Sequence, residues 1–195
     1  MQAVTVITGR MVPLDRADVD TDQIMPKQFL KRIERTGFAE FVFFDWRDDP
    51  EFVLNDERYA GANVLVTGPN FGSGSSREHA PWGLQEYGFD AVIAPSFADI
   101  FRNNCAKIGL LTVVLPPGRC RELIALASDD PAADIRIDLP AQEVVTSLGT
   151  DRFDIDPHTK HLLVAGLDAI DLTLQRDAHI ADFESRRQAF MPVAS

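Results

Sequence analysis

Apolar residues alternate with small and polar ones through AVTVITG (residues 3–9), a period of two that predicts a first strand. The next stretch, LDRADVDTDQIMP, loses that alternation and gathers aspartates and a proline, so it predicts a loop. PKQFLKRIERTGF predicts a short helix with Pro26 in its first turn and Gly37 as its C-terminal cap. The aromatic-rich AEFVFFDWRDDPEFVL follows no single period; part of it is expected to be helical. From ANVLVTG onward the pattern is regular. That strand is followed by a helix in SSREHAPWGLQEYG ending at Gly88, a strand in DAVIAP, a helix in SFADIFRNNCAKIG beginning at Ser96, and a strand in LLTVVLPPG. Strands alternating with helices through short joins predict parallel βαβ crossovers. RCRELIALAS then predicts a helix, IRIDLP and EVVTSLG a hairpin, and RFDI a further strand. The remaining chain is mainly helical, broken near Gly166. The expected class is α/β: one domain over residues 1–195, with a parallel βαβ core, an antiparallel β addition and a helical C-terminal extension from about residue 157.

Composition narrows the functions. The chain has 195 residues, 45% hydrophobic and 25% charged, which suits a globular domain with a real core. Its net charge of −11 disfavours polyanions, so nucleic acid is not an expected partner. The N-terminus lacks the pattern of a signal peptide, and the longest apolar run, near IGLLTVVLPP, is well short of the roughly 20 residues of a membrane span. A cytoplasmic protein without membrane contact is expected. There are two cysteines, Cys105 and Cys120, and no C-x-x-C pair, so neither a disulfide framework nor a metal-holding Cys/His set is expected.

The candidate chemistry lies in GPNFGSGSSREHAPWGL, residues 68–84. The segment lacks the lysine of a phosphate-binding P-loop. Gly72 and Gly74 begin a dinucleotide fingerprint, but its third glycine position is Arg77. No serine is flanked by glycines two residues away on both sides, as a hydrolase elbow requires. What remains is a strand, a glycine turn and a predicted helix N-terminus bearing Ser75, Ser76 and Arg77. Such an end presents free N–H groups to a carboxylate or phosphate, and Arg77 adds a bidentate fork. Local pattern also admits a structural account. Ser75 and Glu78 have capping-box spacing, Arg77 has Glu78 as a neighbour to pair with, and His79 suits a structural helix position. Pro81 requires that the helix start late or bend.

NFGSGSSREHAPWGL resembles the G-S-S-R-E-H segment of the aconitase superfamily's swivelling domain. VDTDQIMPKQFLKRIERTGF is similar to the opening motif of the bacterial small-subunit family of 3-isopropylmalate dehydratases, SFADIFRNNCAKIGLL to the family's next helix–strand unit, and GLDAIDLTL to its C-terminal signature. Four segments in the family's order cover nearly the whole chain. The resemblance implies a three-layer β/β/α swivelling domain. It also implies a separate large subunit that bears a 4Fe–4S cluster, and interconversion of 2- and 3-isopropylmalate through an alkene in leucine biosynthesis. Two cysteines fall short of the thiolates such a cluster ordinarily needs, so no cofactor is expected on this chain. Cys105 continues the stripe Phe97, Phe101, Cys105, Ile108 and is expected in the core.

By the same resemblance Ser75 is the base acting as an alkoxide, Arg77 clamps a substrate carboxylate, Ser76 offers its N–H, and Asp22 is an active-site aspartate. Gly74 lets substrate approach the backbone. The pattern alone makes Asp20 and Asp22 turn or cap residues and leaves Thr21 structural. Substrate choice is expected from KQFLKR. Phe29 and Leu30 offer an apolar patch, with Lys31 and Arg32 beside it; the same apolar residues also suit the buried face of a helix. Alternative readings are a subunit of homoaconitase or of a methylmalate/citraconate hydratase, and a non-catalytic anion-binding regulatory module.

Overall fold

The computed structural model describes residues 1–31 and 36–187, with Lys31 and Ala169 described for their backbone alone. Among the described residues seven strands form one sheet: β1 (Val6–Leu14), β2 (Val64–Thr67), β3 (Ala91–Ala94), β4 (Leu111–Val114), β5 (Asp134–Asp138), β6 (Glu143–Thr146) and β7 (Gly149–Arg152). Their spatial order is β4-β3-β2-β1-β5-β6-β7. β1 belongs to both halves. Its residues 6–10 pair antiparallel with β5, and its residues 11–14 pair parallel with β2. β2, β3 and β4 continue the parallel half, while β5, β6 and β7 form an antiparallel meander.

The α-helices of the described residues are α1 (Thr21–Ile24), α2 (His79–Tyr87), α3 (Asp99–Ile108), α4 (Pro117–Asp129), α5 (Pro157–Ala165), α6 (Ala169–Leu174) and α7 (Asp177–Ser185). β2 and β3 are buried at every position, as strands covered on both faces must be. Side chains alternate between two cores. Leu65, Val92 and Ala94 join Leu84 of α2 and Phe101 and Cys105 of α3 on one face. Val64, Val66, Ile93 and Val113 join Cys120 and Leu123 of α4 on the other, where Ile135, Ile137, Val144 and Phe153 complete the cluster.

The expected class is found: a parallel βαβ core, an antiparallel addition and helices at the C-terminal end. Boundaries shift for local reasons. β1 begins at Val6 and continues into the expected loop as far as Leu14, because β2 supplies a partner for residues 11–14. Pro13 is tolerated there because the antiparallel pairing on the other side has ended at Arg10. The aspartate-rich stretch is not all loop. Asp20 caps α1 through the Gln23 N–H, and the Gln23 side chain returns a bond to the Asp20 N–H, a capping box.

The expected helix after Pro26 appears as a 3-10 turn, Lys27–Lys31; its continuation through residues 32–35 lies outside the described residues. The ambiguous aromatic stretch resolves into short 3-10 turns pinned by rings: Phe43 stacks on Trp46 at 5.1 Å and meets Phe52 edge-on at 5.8 Å. α2 begins at His79 rather than Ser75, which leaves Pro81 in its first turn, where a missing N–H is harmless. α3 begins at Asp99 rather than Ser96, because Ser96 is held by residues 70 and 71 instead. The strand expected in RFDI lies earlier, at Gly149–Arg152, where it pairs with β6.

Leu65 is fully buried in the sheet, so Leu65→Ala is expected to cost about 2–5 kcal/mol in urea denaturation. Val6, 45% exposed at the start of β1, sets the contrast: Val6→Ala is expected to change stability by about 0.5 kcal/mol or less in the same measurement.

Candidate active site

Two loops leave the carboxyl ends of neighbouring parallel strands, the place where open α/β sheets collect ligands. Residues 15–20 follow β1 and residues 68–78 follow β2. Their backbones stay paired. The Gly72 N–H donates to the Val19 carbonyl at 2.7 Å, and the Thr21 N–H donates to the Ser73 carbonyl at 2.8 Å. Asp20 and Ser73 form a parallel bridge. This irregular ladder carries α1 against the glycine turn.

Gly72 has φ +76°, and a β-carbon there would lie 2.1 Å from Cγ of the buried Phe101 ring, so only glycine fits. Gly74 has φ +97° and faces Asp20, whose Cβ would lie 3.3 Å from an added β-carbon.

Beyond these glycines the loop presents its polar groups. The Ser75 Oγ lies 2.9 Å from the Oγ1 of Thr21, and the Ser75 N–H donates to the same Oγ1 at 3.2 Å. Arg77 forms an ion pair with Asp22. Asn104 of α3 donates through Nδ2 to the Ser76 carbonyl at 3.1 Å and accepts from Lys107 Nζ at 3.1 Å. Lys107 also pairs with Glu78 at 3.5 Å. Among the described residues the Ser76 N–H has no protein acceptor.

Ser75, Arg77, Asp22, Ser76 and Gly74 are thus brought to one end of the sheet. The supposed capping box of Ser75 and Glu78 does not form: α2 starts after Glu78, Ser75 bonds Thr21, and Glu78 turns to Lys107. Ser75, Ser76 and Arg77 therefore lie in the loop before the helix, ahead of its N-cap Glu78. Of the two aspartates, Asp20 is a cap and Asp22 an ion-pair partner.

Phe29 and Leu30 are half-buried. Phe29 stacks on Phe41 at 4.0 Å and meets Phe44 edge-on at 4.9 Å, and both residues pack on the core. Arg32 and the side chain of Lys31 lie outside the described residues.

Sequence pattern does not single out Thr21 or Asn104. Asn104 carries a signal nonetheless: it is 5% exposed and sits beside Cys105 within the apolar stripe of α3, where a polar residue must find partners. Thr21 has none beyond its place before Asp22. His79 is scaffold. Its ring lies 5.3 Å from that of Phe38 and 4.9 Å from that of Trp82, and its Nδ1 is buried without a partner. Burial pushes its pKa down; Glu78 opposes that and Arg77 adds to it.

The thiols do not fit an iron–sulfur cluster. Cys105 lies in one core and Cys120 in the other. Burial pushes the Cys105 thiol well above its ordinary range and Cys120 up to about 11. Among the described residues no group of three or more His, Cys, Asp or Glu side chains is placed to hold a metal. Nor is any described helix long and apolar enough to cross a membrane.

Fold and loop together define an aconitase-type domain, and the family model described as the aconitase C-terminal domain matches residues 1–118. A second model, described as the C-terminal domain of the 3-isopropylmalate dehydratase small subunit, matches residues 170–192. The chain is 51% identical to the 3-isopropylmalate dehydratase small subunit of Parafrankia sp. (strain EAN1pec), over 100% of both chains. It is 53% identical to that of Acidothermus cellulolyticus over 98% of each. A crystal structure of 3-isopropylmalate dehydratase from Methanocaldococcus jannaschii superposes with a TM-score of 0.65 at 26% identity, covering 91% of this chain and 98% of that one. The chain belongs to the 3-isopropylmalate dehydratase small-subunit family.

Two outcomes follow from this geometry. Gly72→Ala is expected to destabilise the chain by about 1–3 kcal/mol, read from urea midpoints, because both φ and the Phe101 ring oppose a β-carbon. His79 is harder to protonate in the folded chain than in the unfolded one. Its contribution to stability is therefore full above the unfolded value of about 6.5 and is lost as pH falls through it. His79→Phe is expected to flatten the stability profile just below that pH, measured by denaturation at a series of pH values.

Proposed function

We propose that this chain works as the small subunit of a 3-isopropylmalate dehydratase, a hydro-lyase that interconverts 2- and 3-isopropylmalate by dehydration and rehydration in leucine biosynthesis. The observation that carries the reading is the meeting of the Ser75 hydroxyl, the Arg77 guanidinium and Asp22 at the carboxyl ends of β1 and β2. The full-length identity to relatives bearing that name supports isopropylmalate over the homoaconitase and methylmalate readings. Residues 1–195 act as one swivel domain with a helical extension from about residue 157, a division supported by the strand that both halves of the sheet share.

The reaction removes a proton from a carbon next to a carboxylate, expels hydroxide and reverses the addition on the neighbouring carbon. This chain holds the proton half. Ser75 takes the carbon-bound proton as an alkoxide and returns it on rehydration. Arg77 binds a substrate carboxylate through the donors that Asp22 leaves free, and Asp22 aims the fork. The Ser76 N–H binds the same carboxylate, and Gly74 admits it to the backbone. Phe29 and Leu30 offer the apolar surface for the isopropyl group, with Lys31 and Arg32 next to them in sequence. The departure of hydroxide belongs to the partner chain, a cytoplasmic large subunit that bears the 4Fe–4S cluster, because neither thiol of this chain suits a cluster.

Co-expression with the large subunit and anaerobic reconstitution of iron and sulfide allow turnover to be followed by alkene absorbance. The two-chain enzyme is expected to act on isopropylmalate in preference to homocitrate or citramalate, and the isolated chain to have no activity. Ser75→Ala is expected to lower kcat by about a hundredfold or more. Retained activity in that variant would remove Ser75 from the base role.

A further inference from the structure

Thr21 has no part in the scheme above, yet it makes the closest polar contact to the proposed base. It opens α1, is 1% exposed, and is fixed through its backbone by the bond from its N–H to the Ser73 carbonyl. Its Oγ1 receives the Ser75 N–H at 3.2 Å and lies 2.9 Å from the Ser75 Oγ. A threonine hydroxyl carries one proton and two lone pairs. One lone pair is taken by the Ser75 N–H. The proton of a buried hydroxyl needs an acceptor, and among the described residues the Ser75 Oγ is the acceptor in reach. The β-branch of threonine and the walls around it hold that direction.

We infer that Thr21 is a positioning residue for Ser75: it donates its hydroxyl proton to the Ser75 Oγ, fixes that oxygen over the site and favours its ionised form. The inference rests on Ser75 being the base. With Thr21 as donor, a neutral Ser75 points its own proton away from Thr21, and that proton passes to solvent when the alkoxide forms. The alkoxide then keeps one hydrogen bond from Thr21, which lowers its pKa. During turnover the carbon-bound proton moves to the Ser75 Oγ, the electron pair of the C–H bond enters the alkene, and hydroxide departs. Rehydration returns the same proton to the adjacent carbon. Thr21 keeps its proton throughout.

The test uses the reconstituted two-chain enzyme with isopropylmalate. Thr21→Val keeps the shape and removes the hydroxyl. Its kcat is expected to fall about tenfold or more, with KM within about twofold. The rising limb of its pH–rate profile is expected to move to higher pH or, where no plateau is reached, to drop by the same factor at every pH. Thr21→Ser is expected to restore most of the rate. Size-exclusion of the complex and the urea midpoint check folding. Should the valine variant fail to fold, Thr21→Cys, whose thiol is a weak donor, is expected to show the same displacement.

An unchanged rate and profile in the folded valine or cysteine variant would overturn the inference, and so would a serine variant as impaired as valine. Ser75→Ala run in parallel separates the two assignments. If it stays active, the base role itself fails; if it is dead while Thr21→Val is unaltered, the Thr21 role alone fails.

Discussion

Everything at the functional end of this molecule depends on a backbone ladder that persists after the strands have ended. β1 and β2 are parallel neighbours, and the loops that leave them keep exchanging hydrogen bonds through Val19, Gly72, Thr21 and Ser73. Long polar loops usually lose their mutual position once they leave a sheet. Here the continued pairing fixes Asp22 and Ser75, 53 residues apart in sequence, to one local frame. The Phe101 ring closes the frame from below, where only a glycine leaves room for it. A site built this way takes its precision from main chain and packing, and its side chains add chemistry to a frame already in place.

The electrostatic arrangement follows from the same frame. The chain is strongly acidic, and its one guanidinium in the glycine loop is met by Asp22 rather than left open. Under the proposed function, a substrate carboxylate approaching Arg77 meets a partly neutralised cation and gains more from fork geometry than from long-range attraction. The second cation near the loop, Lys107, is held by Asn104 and Glu78 behind Ser76 and stiffens the peptide that presents the Ser76 N–H.

Much of this is legible in the residues, for reasons that differ from segment to segment. The strands VLVT and AVIA are buried on both faces and short, so an unbroken apolar run identifies them. Gly88 and Gly166 mark helix ends because the left-handed cap that each supplies is a local property. The starts of α2 and α3 are misplaced by local pattern because loop-to-loop bonds compete with helix initiation, and those partners are distant in sequence: Ser75 is claimed by Thr21, and residue 96 by residues 70 and 71. The capping-box signature of Ser75 and Glu78 is a local pattern overruled by tertiary contacts. Thr21 cannot be recognised in advance, since a threonine beside a cap looks the same whether its hydroxyl faces solvent or a serine 54 residues away.

The sharing of β1 between two half-sheets has a consequence for how such a chain diversifies. The polar groups of the site all fall within residues 1–118, the span of the aconitase C-terminal domain, whereas the small-subunit signature lies at 170–192. Yet the far face of β1 and β2 packs against α4, in a core cluster that Ile135, Ile137, Val144 and Leu163 of the later part share. The two stretches thus rest on one slab of packed side chains. A change of shape among those later residues is therefore passed through the shared core to β1 and β2.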